Sequence, residues 1–128
     1  VPLTRSGISL IPVIKTLGAK TLMTACFEPK QVITACALKA DYVAPYFGRM
    51  LDAGLDAMVN MQIIEKVTRS SKCIPVVASL RSAKQVLDIA DIGYNCFTIS
   101  PEVARDLFYS KLTDEASSAF EAAAKGIK

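Results

Sequence analysis

The chain has 128 residues, 52% hydrophobic and 21% charged, with a formal net charge of +3 and no histidine. Its Lys and Arg are scattered rather than gathered into a run, which argues against a nucleic-acid surface, and no apolar stretch approaches the roughly 18 residues of a membrane span. The absence of His removes Ser-His-Asp and Cys-His catalysis from within the segment. In chain order, Ile8, Ile11, Ile14 and Leu17 recur at helical spacing, and a helix is expected from Ser9, as N-cap, to Leu17. Pro12 would then fall in the first turn, where its missing N–H costs little, and Gly18 would end the helix. Thr21-Leu22-Met23-Thr24-Ala25 reads as a short strand, and Pro29 to Lys39 as a helix with Pro in its first turn.

Asp41-Tyr42-Val43-Ala44 is the next strand, followed by a long loop and helix from Pro45 to Arg69. Ile74-Pro75-Val76-Val77-Ala78 is a third strand, with Pro75 near its start, then a helix from Ser82 to Ala90 and a fourth strand at Cys96-Phe97-Thr98-Ile99. Ser100-Pro101 opens another helix as N-cap and first-turn proline; the same helix terminus could add its dipole to anion binding. An Ala-rich helix from Thr113 to Lys125 closes the chain, with Gly126 as its stop. Four short strands alternating with six helices are the pattern of a parallel α/β sheet, which both a (β/α)8 barrel and a doubly wound open sheet satisfy. No G-x-G-x-x-G or phosphate-loop motif supports the second.

Cys26, Cys36, Cys73 and Cys96 lie at least ten residues apart with no C-x-x-C pair, so neither a zinc nor a c-type haem site is expected. Four buried, reduced thiols fit a cytoplasmic or plastid stroma location. The opening Val1-Pro2-Leu3-Thr4 lacks Met and any targeting pattern, and is read as a cut.

Three stretches carry a family resemblance: Thr21-Leu22-Met23-Thr24-Ala25, the run Ala40-Asp41-Tyr42-Val43-Ala44-Pro45-Tyr46-Phe47-Gly48-Arg49-Met50-Leu51-Asp52, and Val77-Ala78-Ser79-Leu80-Arg81. Together, and through to Phe97-Thr98-Ile99-Ser100-Pro101-Glu102-Val103-Ala104, they resemble the small transaldolases, particularly the fructose-6-phosphate aldolase-like branch. The resemblance implies the C-terminal half of a (β/α)8 TIM barrel, strands five to eight with their helices, over residues 1–112. Residues 113–128 would form a C-terminal helix packing on a neighbouring subunit. A complete barrel takes roughly 250 residues, so the N-terminal half would lie in sequence not present here.

The resemblance further implies a Schiff-base aldolase or transaldolase that moves or releases a dihydroxyacetone unit from a phosphorylated ketose such as fructose 6-phosphate, with no metal or organic cofactor. Its lysine would immediately precede Val1, because Val1-Pro2-Leu3-Thr4 is similar to the V-P-x-T segment that follows the family's lysine. Tyr46 would be the acid/base group and Thr24 the partner of the catalytic water. Arg49, Ser79 and Arg81 would hold the substrate phosphate. Tyr46 fits the aldolase-like branch, whereas Arg81 stands where that branch tends to have Lys and the transaldolases Arg. Read from the residues alone, Tyr46 is a packing tyrosine, Thr24 a good β-former, Arg49 and Arg81 solvated loop charges and Ser79 a helix cap. The expected partners are the sugar phosphate, the missing barrel half and further copies of the chain in a homo-oligomer; the alternative function is a catalytically inactive, transaldolase-like structural subunit of a larger assembly.

Overall fold

A computed structural model describes residues 1–126. Its sheet contains β1 (Leu22–Cys26), β2 (Tyr42–Pro45) and β3 (Ile74–Pro75), parallel and in chain order. Leu22 is in register with Tyr42 and Tyr42 with Ile74; Met23 is in register with Val43 and Val43 with Pro75. The ladder continues on both flanks. Val1–Leu3 lies along β1, with Thr24 N–H donating to the Val1 carbonyl and Leu3 N–H to the Thr24 carbonyl, each at 2.8 Å. Cys96–Thr98 lies along the continuation of β3, with Val77 N–H donating to Cys96 and Thr98 N–H to Val77, each at 2.9 Å. Parallel neighbours in chain order require a crossover between each pair, and helices supply it.

The helices are α1 (Arg5–Thr16), α2 (Pro29–Ala37), α3 (Phe47–Asp52), α4 (Ala57–Arg69), α5 (Ala83–Asp91), α6 (Pro101–Phe108) and α7 (Lys111–Gly126). One face of the sheet carries the core. Met23, Val43 and Val77 are fully buried in one cluster with Ile11 of α1, Val32 of α2, Met61 and Ile64 of α4 and Ile89 of α5. The period-2 alternation of strands sends Leu22, Tyr42 and Ile74 to the other face, where Leu22 is 39% and Ile74 45% exposed. Among the described residues no element covers Leu22 and Ile74 on that face. The N-terminal ends of the strands are tied by Asp41, whose carboxylate accepts from Thr21 N–H (2.8 Å), the Thr21 hydroxyl (3.1 Å) and Lys15 (3.1 Å). The Thr21 hydrogen bonds, then Lys15, hold the Asp41 carboxyl below the usual carboxylate range.

Several elements depart from the sequence expectation. The first helix begins at Arg5, not Ser9, because Thr4 is the N-cap, its hydroxyl accepting from Gly7 N–H at 3.1 Å. Pro12 is therefore interior, on the exposed side, and the burial of Gly7 and Ile11 offsets the hydrogen bond it forgoes. The segment from Pro45 to Arg69 holds two helices rather than one, since Gly54 at φ 68° and the Asp56 cap on Val59 N–H break it. The third strand contracts to two residues plus isolated bridges at Val77 and Ala78, and the fourth to a single bridge at Phe97. The final helix starts at Lys111 and includes Gly126. Ile127 and Lys128, grouped with it in the sequence reading, lie outside the described residues. Cys26 and Cys73 are buried as expected, but Cys36 and Cys96 are only half-buried. Among the described residues no helix is long and apolar enough to cross a membrane.

Candidate active site at the strand tips

In parallel α/β architectures, ligands collect at the carboxyl ends of the strands, where loops and helix starts converge. Here β2 runs directly into α3. Tyr46 is the residue between them, its N–H donating to the Cys26 carbonyl at 3.0 Å and its backbone bridging Ala78. The next two N–H groups are also spent on neighbouring strand tips, Phe47 on Ala78 and Gly48 on Ser79, each at 3.0 Å. Three strand ends are thereby bolted together around the first turn of α3, and the side chains that leave this turn share one small region.

The half-buried Tyr46 ring packs edge-on against Phe27, with centroids 5.8 Å apart at 78°. The Arg49 guanidinium lies over the same ring, 5.1 Å from its centroid, a cation–π contact that orients both groups. Arg81 reaches back to α3, donating through Nη1 to Asp52 Oδ1 at 2.7 Å and through Nη2 to Asp52 Oδ2. Hydrogen bonding from Arg81 is the main reason the Asp52 carboxyl lies below its ordinary range, and the Arg49 charge adds to it.

Two non-glycine residues take left-handed backbone at these tips: Ala25, at φ 55°, and Ser79, at φ 63°. Such conformations cost of order 1 kcal/mol or more and persist where surrounding contacts over-determine them. At Ala25 the cause is an irregularity in the β1–β2 register between Met23 and Cys26. At Ser79 it is the turn that presents the serine carbonyl to Gly48.

The structure thus brings together Tyr46, Arg49, Ser79 and Arg81. Thr24 is half-buried on β1, with its backbone hydrogen-bonded to Val1 and Leu3. Ser79 is not a helix cap; that role falls to Ser82, whose hydroxyl accepts from Gln85 N–H at 3.2 Å. Ser100 caps α6 through Val103 N–H at 3.3 Å.

Sequence reasoning missed two members of this cluster. Asp52 pairs with Arg81 from 29 residues away, a tertiary contact without a local signal. Gly48 is the second. A Cβ there would meet the Ser79 carbonyl oxygen at 2.2 Å, so only glycine allows α3 to approach the Ser79 turn this closely. The signal was present, since glycine in a short helix costs stability and calls for a packing reason.

Elsewhere, a 780 Å³ groove lies between α4 and α5 beside Met58, Gln62 and Leu87. A 460 Å³ pocket lies at the opposite ends of the strands beside Lys15, Cys36, Asp41 and Cys73. Neither is lined by Tyr46, Arg49, Ser79 or Arg81, and their volume carries less weight than the convergence of polar groups at the tips.

Comparison with known proteins agrees with the motifs. A family model described as Transaldolase/Fructose-6-phosphate aldolase matches residues 1–127. A protein of Caulobacter sp. (strain K31) described as "Probable transaldolase" is 34% identical over 117 residues, covering 90% of this chain and 54% of that protein. One of the same description from Coprothermobacter proteolyticus is 35% identical over 116 residues, covering 89% and 54%. Another from Ruegeria sp. (strain TM1040) is 33% identical and covers 100% of this chain and 61% of its own length. The chain spans about half the length of these curated relatives. Part of a solved structure described as a lactate oxidase of Pediococcus acidilactici superposes with a TM-score of 0.55 at 13% identity, over 71% of this chain and 26% of that one, a likeness of fold alone. The chain belongs to the transaldolase/fructose-6-phosphate aldolase family.

Proposed function

We propose that this chain forms the C-terminal half of a TIM-barrel, Schiff-base enzyme that transfers or releases a dihydroxyacetone unit from a phosphorylated ketose such as fructose 6-phosphate. The observation that carries this reading is the convergence at consecutive strand tips of a tyrosine, a serine and two guanidinium groups beside an uncovered sheet face. A barrel interior is lined by the face opposite the helices, which is where Leu22, Tyr42 and Ile74 lie. The other barrel half would cover them.

The nucleophile is assigned to a lysine immediately before Val1. Leu3 is buried on the helix side, so alternation puts Pro2, and the residue preceding Val1, on the uncovered side with Thr24. The amine adds to the ketose carbonyl and loses water to form an iminium. With that electron sink in place, the C3–C4 bond breaks as the C4 hydroxyl gives up its proton. An aldehyde phosphate departs and an enamine of dihydroxyacetone remains. Protonation and hydrolysis release it; attack on a second aldehyde transfers it. Tyr46 takes and returns the C4 hydroxyl proton, and Thr24 orients the water used in forming and hydrolysing the imine. Arg49, Ser79 and Arg81 hold the phosphate, to which a guanidinium offers two parallel N–H groups. None of these steps calls for a metal or organic cofactor.

The apolar side chains of α7, Leu112 at 77% and Phe120 at 74% exposure, are assigned to a neighbouring subunit of a homo-oligomer. Tyr46→Phe in the complete protein tests the acid/base assignment. Release of aldehyde phosphate from fructose 6-phosphate should fall by about 10²-fold or more, and unchanged turnover would remove Tyr46 from the proton-transfer role.

A further inference from the structure

The Arg81 guanidinium is already engaged, and the manner of its engagement is informative. A guanidinium carries five N–H donors, and it can be gripped either end-on, through both Nη atoms, or along the side that includes Nε–H. Asp52 takes the end, with Nη1 donating to Oδ1 at 2.7 Å and Nη2 to Oδ2. Among the described residues the Nε–H on the side edge has no hydrogen-bond acceptor. It faces Gly48, where an added methyl carbon would lie 3.2 Å from Arg81 Nε and 3.1 Å from Ser79 Oγ. That position is itself closed, because the Ser79 carbonyl oxygen would stand 2.2 Å from the same carbon, but the Ser79 hydroxyl and the Arg81 Nε–H flank it together along the Gly48 backbone.

We propose that Asp52 is a positioning residue that clamps the end of the Arg81 guanidinium, so that its Nε edge is held beside the Ser79 hydroxyl to receive a phosphate. The inference rests on the reading of Arg81 as a phosphate ligand and adds the carboxylate that orients it. Arg81 is a long side chain, half-exposed at 53%. Without a fixed end it samples many rotamers, and an arriving anion must restrict them. Asp52 imposes that restriction in advance, anchored on the last residue of α3, the helix whose first turn carries Gly48 and Arg49. The pair also keeps the field moderate: Arg49, Arg81 and Asp52 together carry one net positive charge.

The test uses the complete protein with Asp52→Ala and Asp52→Asn, fructose 6-phosphate as substrate and inorganic phosphate as competing probe. With Asp52→Ala, the KM for fructose 6-phosphate and the inhibition constant of phosphate should both rise about five- to tenfold, the cost of ordering one rotamer-rich side chain on binding. Turnover number should stay within about twofold, since no reacting atom is touched. Asp52→Asn retains one acceptor and should show a smaller rise of the same sign; it also carries the measurement should the alanine variant not fold. Unchanged or tighter phosphate binding in both variants, while Arg81→Ala weakens it, would overturn the positioning role and mark Asp52 as a competitor for Arg81. Unchanged phosphate binding in Arg81→Ala would overturn the phosphate assignment and this proposal with it.

Discussion

Gly48→Ala puts the close approach of α3 to the Ser79 turn under direct strain. The added Cβ would stand 2.2 Å from the Ser79 carbonyl oxygen, 0.8 Å inside the 3.0 Å limit that real Cβ contacts respect. The obstacle is backbone and it is pinned, because the same oxygen accepts the Gly48 N–H at 3.0 Å and Ser79 already sits at φ 63°. Overpacking of this kind costs about 1–3 kcal/mol, and loss of the Gly48–Ser79 hydrogen bond adds about 0.5–1.5 kcal/mol. Alanine returns at most about 1 kcal/mol through its better helix propensity. The balance is a destabilisation of about 0.5–4.5 kcal/mol, read as a lowered urea midpoint at unchanged slope in the complete protein. The displaced Ser79 and Arg81 should also raise the KM for fructose 6-phosphate. A midpoint equal to or above that of the parent would refute the reasoning, because it would mean the Ser79 turn yields without penalty and Gly48 is there for no steric reason.

Two further outcomes follow from burial and ionisation. Burial pushes the Cys26 and Cys73 thiols up to about 12, so under native conditions at pH 8 an alkylating reagent should modify the half-buried Cys36 and Cys96 first; early modification of Cys26, followed by peptide mass mapping, would contradict the packing of β1. The Asp41 carboxyl is held below its ordinary value, so its contribution to stability is complete above that value, near 3.8, and is lost as pH falls through the lower folded-state value. Asp41→Asn should therefore narrow the stability gap between neutral pH and pH 3, as measured by urea titration at each pH; an unchanged gap would show that the Thr21 and Lys15 contacts do not discriminate the charged form.

The parts of the fold that were legible in the sequence are those governed by local chemistry. Pro29 and Pro101 mark first turns, Ser100 caps α6, and the short apolar runs at Leu22, Tyr42 and Ile74 begin strands. Errors arose where a distant contact outweighed a local preference. Pro12 reads as a helix start, but the Thr4 cap and the burial of Ile11 carry α1 through it. Cys96–Ile99 has strand composition, yet within the described residues it pairs on one side only and forms a single bridge. Of the candidate site, Tyr46, Arg49, Ser79 and Arg81 came from motif resemblance rather than from any physical signal, and the structure brings them together. Asp52 was invisible because nothing near it in the chain announces a partner at Arg81. Gly48 was visible in principle and passed over.

The proposed catalysis requires an amine delivered to the strand tips beside Thr24. Incubating the complete protein with fructose 6-phosphate and borohydride, then mapping the modified peptide by mass spectrometry, tests it most directly. The expected product is an irreversible dihydroxyacetone-derived adduct on a lysine immediately preceding Val1. An active protein with no reducible adduct, or an adduct on a lysine elsewhere in the chain, would contradict it.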